Sequence, residues 1–129
     1  MTFILLFLTL IHPPAQKCVS YEPEAVTLTG TIRRHTFPGP PNFESVAKGD
    51  QAERVWVLHL ANPICVNAST DSEKETGVSD IQLVLTKYDK SLVNRRVAVS
   101  GTLFHAETGH HHTKVLLTVN EIRIQNAGG

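Results

Sequence analysis

The chain has 129 residues, 12 Lys and Arg against 12 Asp and Glu, and 41% hydrophobic residues. That length suits one domain with a core of moderate size. A formal charge of zero excludes the strong overall electrostatic footprint of a protein built for nucleic acid or an anionic membrane, leaving only local patches.

The first element is the apolar run TFILLFLTLI, Thr2 to Ile11. A membrane-spanning helix needs about 20 apolar residues, so the run is too short to span. Its length fits the apolar region of a secretory signal peptide, assigned to residues 1–15. No Lys or Arg precedes it, and Pro13 lies two residues before Ala15, the small residue at the expected cleavage point. A hydrophobic first strand is the competing reading; the run lacks period-two alternation and ends in Pro13-Pro14. AQKC, ending at Cys18, is a poor lipoprotein cleavage box. With an export signal ahead of them, two cysteines predict one disulfide, Cys18 to Cys65.

A single domain is predicted over residues 16–124, with 125–129 as a disordered tail. AVTLTGTIRRHTF (Ala25 to Phe37) places Val26, Leu28 and Ile32 on one face and threonines and Arg33 on the other, which is a half-buried strand. Gly30 falls on its apolar face, where a glycine marks a bulge or sharp coil. Arg33, Arg34 and His35 end the strand with positive charge, either solvated or an anion contact. PGPPNFESVAKGDQ follows as a loop, because Pro38, Pro40 and Pro41 forbid regular ladder pairing. Arg54 to Leu60 is a second strand, stopped by Asn62-Pro63, with Trp56 favoured for the core. NASTDSEKETGVSD (Asn67 to Asp80) reads as a solvated acidic loop. IQLVLT (81–86) is a third strand and KYDKSLVN a helical turn. RRVAVSGTLF and KVLLTVNEIRI are the fourth and fifth strands. VTLTGTI and VAVSGTL share one pattern, with glycine at the same place; both strands need it where a small sheet bends to close.

This order predicts an all-β fold, a five-stranded OB-like Greek-key barrel with one short helix. In such a barrel the loops after strands one and four flank the usual binding face. Here they are the aromatic-proline loop, with Phe37, Pro40, Pro41 and Phe43, and the turn HAETGHHHTK, with His105, His110, His111 and His112. The fold therefore predicts that the two meet.

Three chemistries compete for the histidines. His105, His110 and His112 are three imidazoles suited to zinc or copper, but their spacing matches no established zinc signature. Catalysis needs a nucleophile or an acid–base pair; Ser100, Glu107 and Thr113 are near in sequence only, so no enzymatic activity and no cofactor are expected. The third reading is recognition. His105 is in phase with Val97, Val99 and Leu103 and points into the barrel mouth, while His110 to His112 pack on the proline loop or contact a partner. Imidazole changes charge between mildly acidic and neutral medium, so binding there is expected to depend on pH.

CVSYEPEAVTLTGTI, TFPGPPNFESVAKGD, VWVLHLANPICV, IQLVL and VSGTLFHAETGHHHTKVLLTV together resemble a family of small exported bacterial domains with no assigned function. The resemblance covers nearly the whole chain after the leader. It implies a periplasmic or secreted location, with the proline loop and histidine turn as hallmarks, and no activity. The expectation is an exported, non-enzymatic binding module. Its partner is a protein or cell-envelope component rather than nucleic acid, and an inhibitor or immunity-type role is one version. No stable membrane span remains once the signal is removed. A periplasmic metal binder using the histidines is the alternative.

Overall fold

A computed structural model describes residues 3–9 and 17–126. The expected signal peptide therefore lies partly outside the described residues. Of it, residues 3–9 form neither helix nor strand and are exposed. Residues 127–129 of the expected tail also lie outside. No helix among the described residues is long and apolar enough to cross a bilayer.

The domain is all-β, with six strands: β1 (Lys17–Val19), β2 (Ala25–Pro38), β3 (Ala52–Val66), β4 (Glu75–Val84), β5 (Arg96–His105) and β6 (Val115–Ile124). They form one sheet in the order β1-β3-β2-β5-β6-β4, and β3 also pairs with β4. Each of β2 to β6 thus has a hydrogen-bonded strand on both sides. The helical content is two single 3₁₀ turns, Val46–Lys48 and Lys90–Leu92. The second is the turn expected between the third and fourth long strands; the first lies in the proline loop.

Several boundaries differ from those read in the sequence. β2 runs on through Pro38, which lies opposite Ala52 at the end of the ladder where a missing donor is tolerated, so only Pro40 and Pro41 stand outside the pairing. β1 was not expected, because three residues are too few to show alternation. It pairs in parallel with the end of β3, Cys18 opposite Cys65, and these two cysteines form the disulfide. β3 passes through Asn62-Pro63 instead of stopping there. Pro63 lies where the β3–β4 register shifts, between His59 and Ile64, and an irregularity of this kind tolerates a residue that cannot donate. β4 begins at Glu75 rather than near Ile81, so the acidic loop is shorter than its composition suggests. Pairing of Ile64 with Val78 and Val66 with Glu75 holds this polar stretch in the sheet.

Period two accounts for the core. Val26, Leu28 and Ile32 of β2 meet Trp56, Leu58 and Leu60 of β3, Ile81 and Leu83 of β4, Val97, Val99 and Leu103 of β5, and Val115 and Leu117 of β6. Burying each aliphatic side chain contributes about 1.5–3 kcal/mol before entropy is counted. Trp56 is core, with Tyr88 edge-on against it at 5.2 Å. The mid-strand glycines sit where backbones converge. β2 changes partner at Gly30, which lies opposite both Leu60 of β3 and Val97 of β5. A side chain there would collide with the His59 carbonyl, and one at Gly101 with the Thr118 carbonyl.

Some buried residues lie outside that core. Val57, Gln82, Leu116 and Phe104 form a row across β3, β4, β6 and β5 on the outward face. Outward positions normally face water, yet Val57 and Leu116 are fully buried and Gln82 nearly so. Something covers them, and it is the histidine turn.

Candidate functional site

The proline loop is organised by a single carboxylate. Asp50 accepts backbone N–H bonds from Asn42 at 3.0 Å, Glu44 at 2.8 Å and Ser45 at 2.9 Å. These donors, Ser45 foremost, hold its carboxyl below the ordinary range. The loop base is closed by Gly39 N–H to Gln51 O and Gln51 N–H to Pro40 O. Phe43 sits at the loop tip with φ of 54°, a left-handed conformation unusual for a bulky residue. Its N–H bonds the Gly39 carbonyl, and its ring remains partly exposed beside exposed Val46.

The histidine turn is pinned from beneath by Gln82. Its amide Nε2 donates to the His110 carbonyl at 3.2 Å, and its Oε1 accepts from the His112 N–H at 2.8 Å. The Gln82 backbone N–H donates to Thr113 Oγ1 at 2.9 Å. His111 closes the turn internally: its Nδ1 accepts from the Glu107 N–H at 2.9 Å, and its ring meets Phe104 edge-on at 5.4 Å.

Loop and turn meet at Glu53, the second residue of β3. His110 Nδ1–H donates to one carboxylate oxygen at 2.6 Å and His112 Nε2–H to the other at 2.8 Å. The bond from His112, then that from His110, holds the Glu53 carboxyl below its ordinary range, against the opposing pull of burial. Rings close the junction. His112 stacks on Phe37 at 4.6 Å and 3°, Phe37 stacks on His35 at 5.9 Å, and His110 meets Phe43 edge-on at 5.3 Å. The two imidazoles differ in access: the His110 side chain is 64% exposed and that of His112 only 8%.

His105 keeps other company. In phase with the core as expected, it is half-buried at the end of β5. Its Nε2–H donates to Glu75 at 3.0 Å and its Nδ1–H to the Ala106 carbonyl at 3.2 Å, with Tyr21 edge-on at 6.3 Å. The Glu75 bond raises its pKa above the ordinary imidazole value, against partial desolvation. The three imidazoles considered together as metal ligands are thus divided between two carboxylates. Among the described residues, no group of three or more His, Cys, Asp or Glu side chains is arranged to hold a metal ion.

Of the residues singled out in the sequence, Phe37, Phe43, His110 and His112 come together. Pro40 and Pro41 shape the loop beside them, His111 faces Phe104, and His105 stands with Glu75. Glu53, Gln82 and Asp50 were missed. Gln82 carried a signal, since it is the one polar residue in IQLVL. Glu53 and Asp50 carried none, as an acid beside a loop is ordinarily solvated.

Residues 80–123, from the end of the acidic segment through the histidine turn to the last strand, match the model of a family described as Domain of unknown function (DUF4431). This similarity agrees with the resemblance to a family without an assigned function and leaves the proline loop outside the matched range. No curated protein matches the chain. No solved structure matches it.

Proposed function

We propose that the chain is an exported, non-enzymatic binding module built on a five-stranded OB-type Greek-key barrel. It recognises a protein or cell-envelope partner at the rim formed by the proline loop and the histidine turn. The circuit of pairings supports the barrel: β2 with β3 and β5, β5 with β6, β6 with β4, and β4 back to β3. The parallel pairing of β4 with β6 fits the same scheme. The Cys18–Cys65 disulfide supports an oxidising compartment.

The observation that carries the recognition reading is the double bond of Glu53 to His110 and His112. It ties the histidine turn to the start of β3 beside the proline loop, along an edge on which Phe43, Val46 and His110 remain exposed. A surface ordered in advance loses less entropy on docking, which favours affinity. Phe43, partly exposed on a left-handed backbone with its ring edge-on to His110, is the anchor.

The test is capture from envelope extract at pH 5.5 and 7.5 on immobilised untagged protein, comparing the native chain with Phe43→Ala and His110→Ala. The expected result is a partner retained by the native chain, lost with Phe43→Ala and retained differently at the two pH values. Equal retention by all three proteins sinks the reading. Calorimetric titration with zinc and copper addresses the metal alternative, for which micromolar binding lost in His110→Ala with His112→Ala is the required result.

A further inference from the structure

A formal charge of zero conceals an uneven distribution. Ile32, Trp56 and Val97 are buried core residues. Arg34, Arg54 and Arg95 each stand two residues beyond one of them, towards the same end of the domain. Strand alternation puts Arg34 and Arg54 on the same side of the sheet as the core residues, at its edge, and Arg95 stands just before β5 beside them; all three are exposed. The register confirms their proximity: Arg34 lies opposite Trp56, Arg54 opposite Thr36, and the Arg95 carbonyl accepts the Ile32 N–H. Tyr88 rests edge-on against Trp56, which brings its neighbours Lys87 and Lys90 to the same end.

All five cations are exposed. Among the described residues, the Lys and Arg ion pairs are Lys114 with Glu75 and Arg123 with Glu121, and neither involves this end. The acid within the group, Asp89, is turned to the Ser91 N–H and hydroxyl. Residues 1–16 and 127–129 contain no Asp or Glu side chain. Acidic Glu22, Glu24 and Glu73 gather instead around Tyr21, whose hydroxyl bonds the Glu73 carbonyl and whose neighbour Glu22 bonds the Leu103 carbonyl.

We infer that this end, with Arg34, Arg54, Arg95, Lys87, Lys90 and Tyr88, is a second docking surface, and that its occupant is an acidic protein surface. Three arginines around a half-exposed tyrosine suit a protein interface, where Arg and Tyr are enriched. Guanidinium groups pair carboxylates in bidentate fashion. The arrangement is a compact end patch rather than a stripe along a groove, which disfavours a long polyphosphate.

The chain's one tryptophan lies beneath the patch and reports binding by its emission. Poly-L-glutamate, as the carboxylate probe, and a DNA duplex of matched charge are titrated into the full chain at about 20 and 300 mM salt. The expected result is poly-L-glutamate binding at low salt that is lost at high salt. It should weaken by roughly tenfold or more in Arg34→Glu with Arg95→Glu, and similarly in Lys87→Glu with Lys90→Glu should the first pair perturb folding. His110→Ala leaves it unchanged, which separates this surface from the histidine rim. No poly-L-glutamate binding at low salt, or binding indifferent to both charge reversals, overturns the inference. Tighter binding of the duplex overturns the assignment to a protein.

Discussion

Phe37 and His112, distant in the chain, lie face to face with ring centroids 4.6 Å apart and planes 3° from parallel. Neither ring is positioned by its own loop alone. Phe37 is held by β2 pairing, and His112 by Glu53 and Gln82. The stack is therefore a readout of whether loop and turn remain engaged.

Glu53→Ala removes the acceptor shared by His110 and His112. Bonds to charged groups contribute about 1.5–3 kcal/mol when buried and less when exposed. One of these two imidazoles is buried and one is not, so a loss of about 2 kcal/mol is expected. It should appear as a lower urea midpoint at unchanged slope, with loss of the ring-current shift on His112. A midpoint equal to that of the native chain would show that the carboxylate does not hold the turn.

The pH dependence has two limbs of opposite sign. Glu53 and Asp50 have carboxyls held low in the folded state, so their contribution is present above the ordinary carboxylate range and lost as pH falls through the folded values. His105 is raised, so its contribution is complete below the ordinary value of 6.5 and lost as pH rises through the folded value. Stability should accordingly peak in mildly acidic medium. Proton NMR of His105 should give a midpoint above 6.5, returning towards it in Glu75→Gln. A His105 midpoint indifferent to that substitution would separate it from Glu75.

Gln82→Leu keeps the volume but removes both side-chain bonds to the histidine turn. The carbonyl and N–H left behind make this costlier than an ordinary apolar exchange, about 1–3 kcal/mol. Hydrogen exchange should accelerate at His112 and its neighbours while β2 and β5 remain protected. Uniform acceleration would point to global destabilisation instead.

Reducing the Cys18–Cys65 disulfide, or Cys18→Ser with Cys65→Ser, releases a closure of sequence separation 47. The chain-entropy estimate for a loop of that length is about 4 kcal/mol. Denaturant titration with and without reductant measures it, and a difference under about 1 kcal/mol would mean that β1 pairing alone suffices.

Much of this architecture was legible because period-two strands state their own inward face. Val26, Leu28 and Ile32, or Val97, Val99 and Leu103, name the core without help, and Gly30 and Gly101 mark the places where backbones converge. Strand order then brought the proline loop to the histidine turn. What stayed hidden depends on pairing between distant segments. Glu53 gains its role only once two imidazoles from another segment arrive, and Glu75 enters the sheet only because β3 continues past a proline. His105 looked like a companion of His110 because they are near in sequence, yet β5 ends between them and the chain turns away.

The row Val57, Gln82, Leu116 and Phe104 makes one sector of the domain three layers deep, with hydrocarbon above the sheet as well as below it. Tolerance to substitution should therefore vary around the outside. Charged residues introduced at outward positions under the turn ought to be rejected as firmly as in the interior, while Thr27 and Ser100, outward on β2 and β5 and hydrogen-bonded to each other in solvent, ought to accept them. Natural variation along the outer wall would then trace the footprint of the turn.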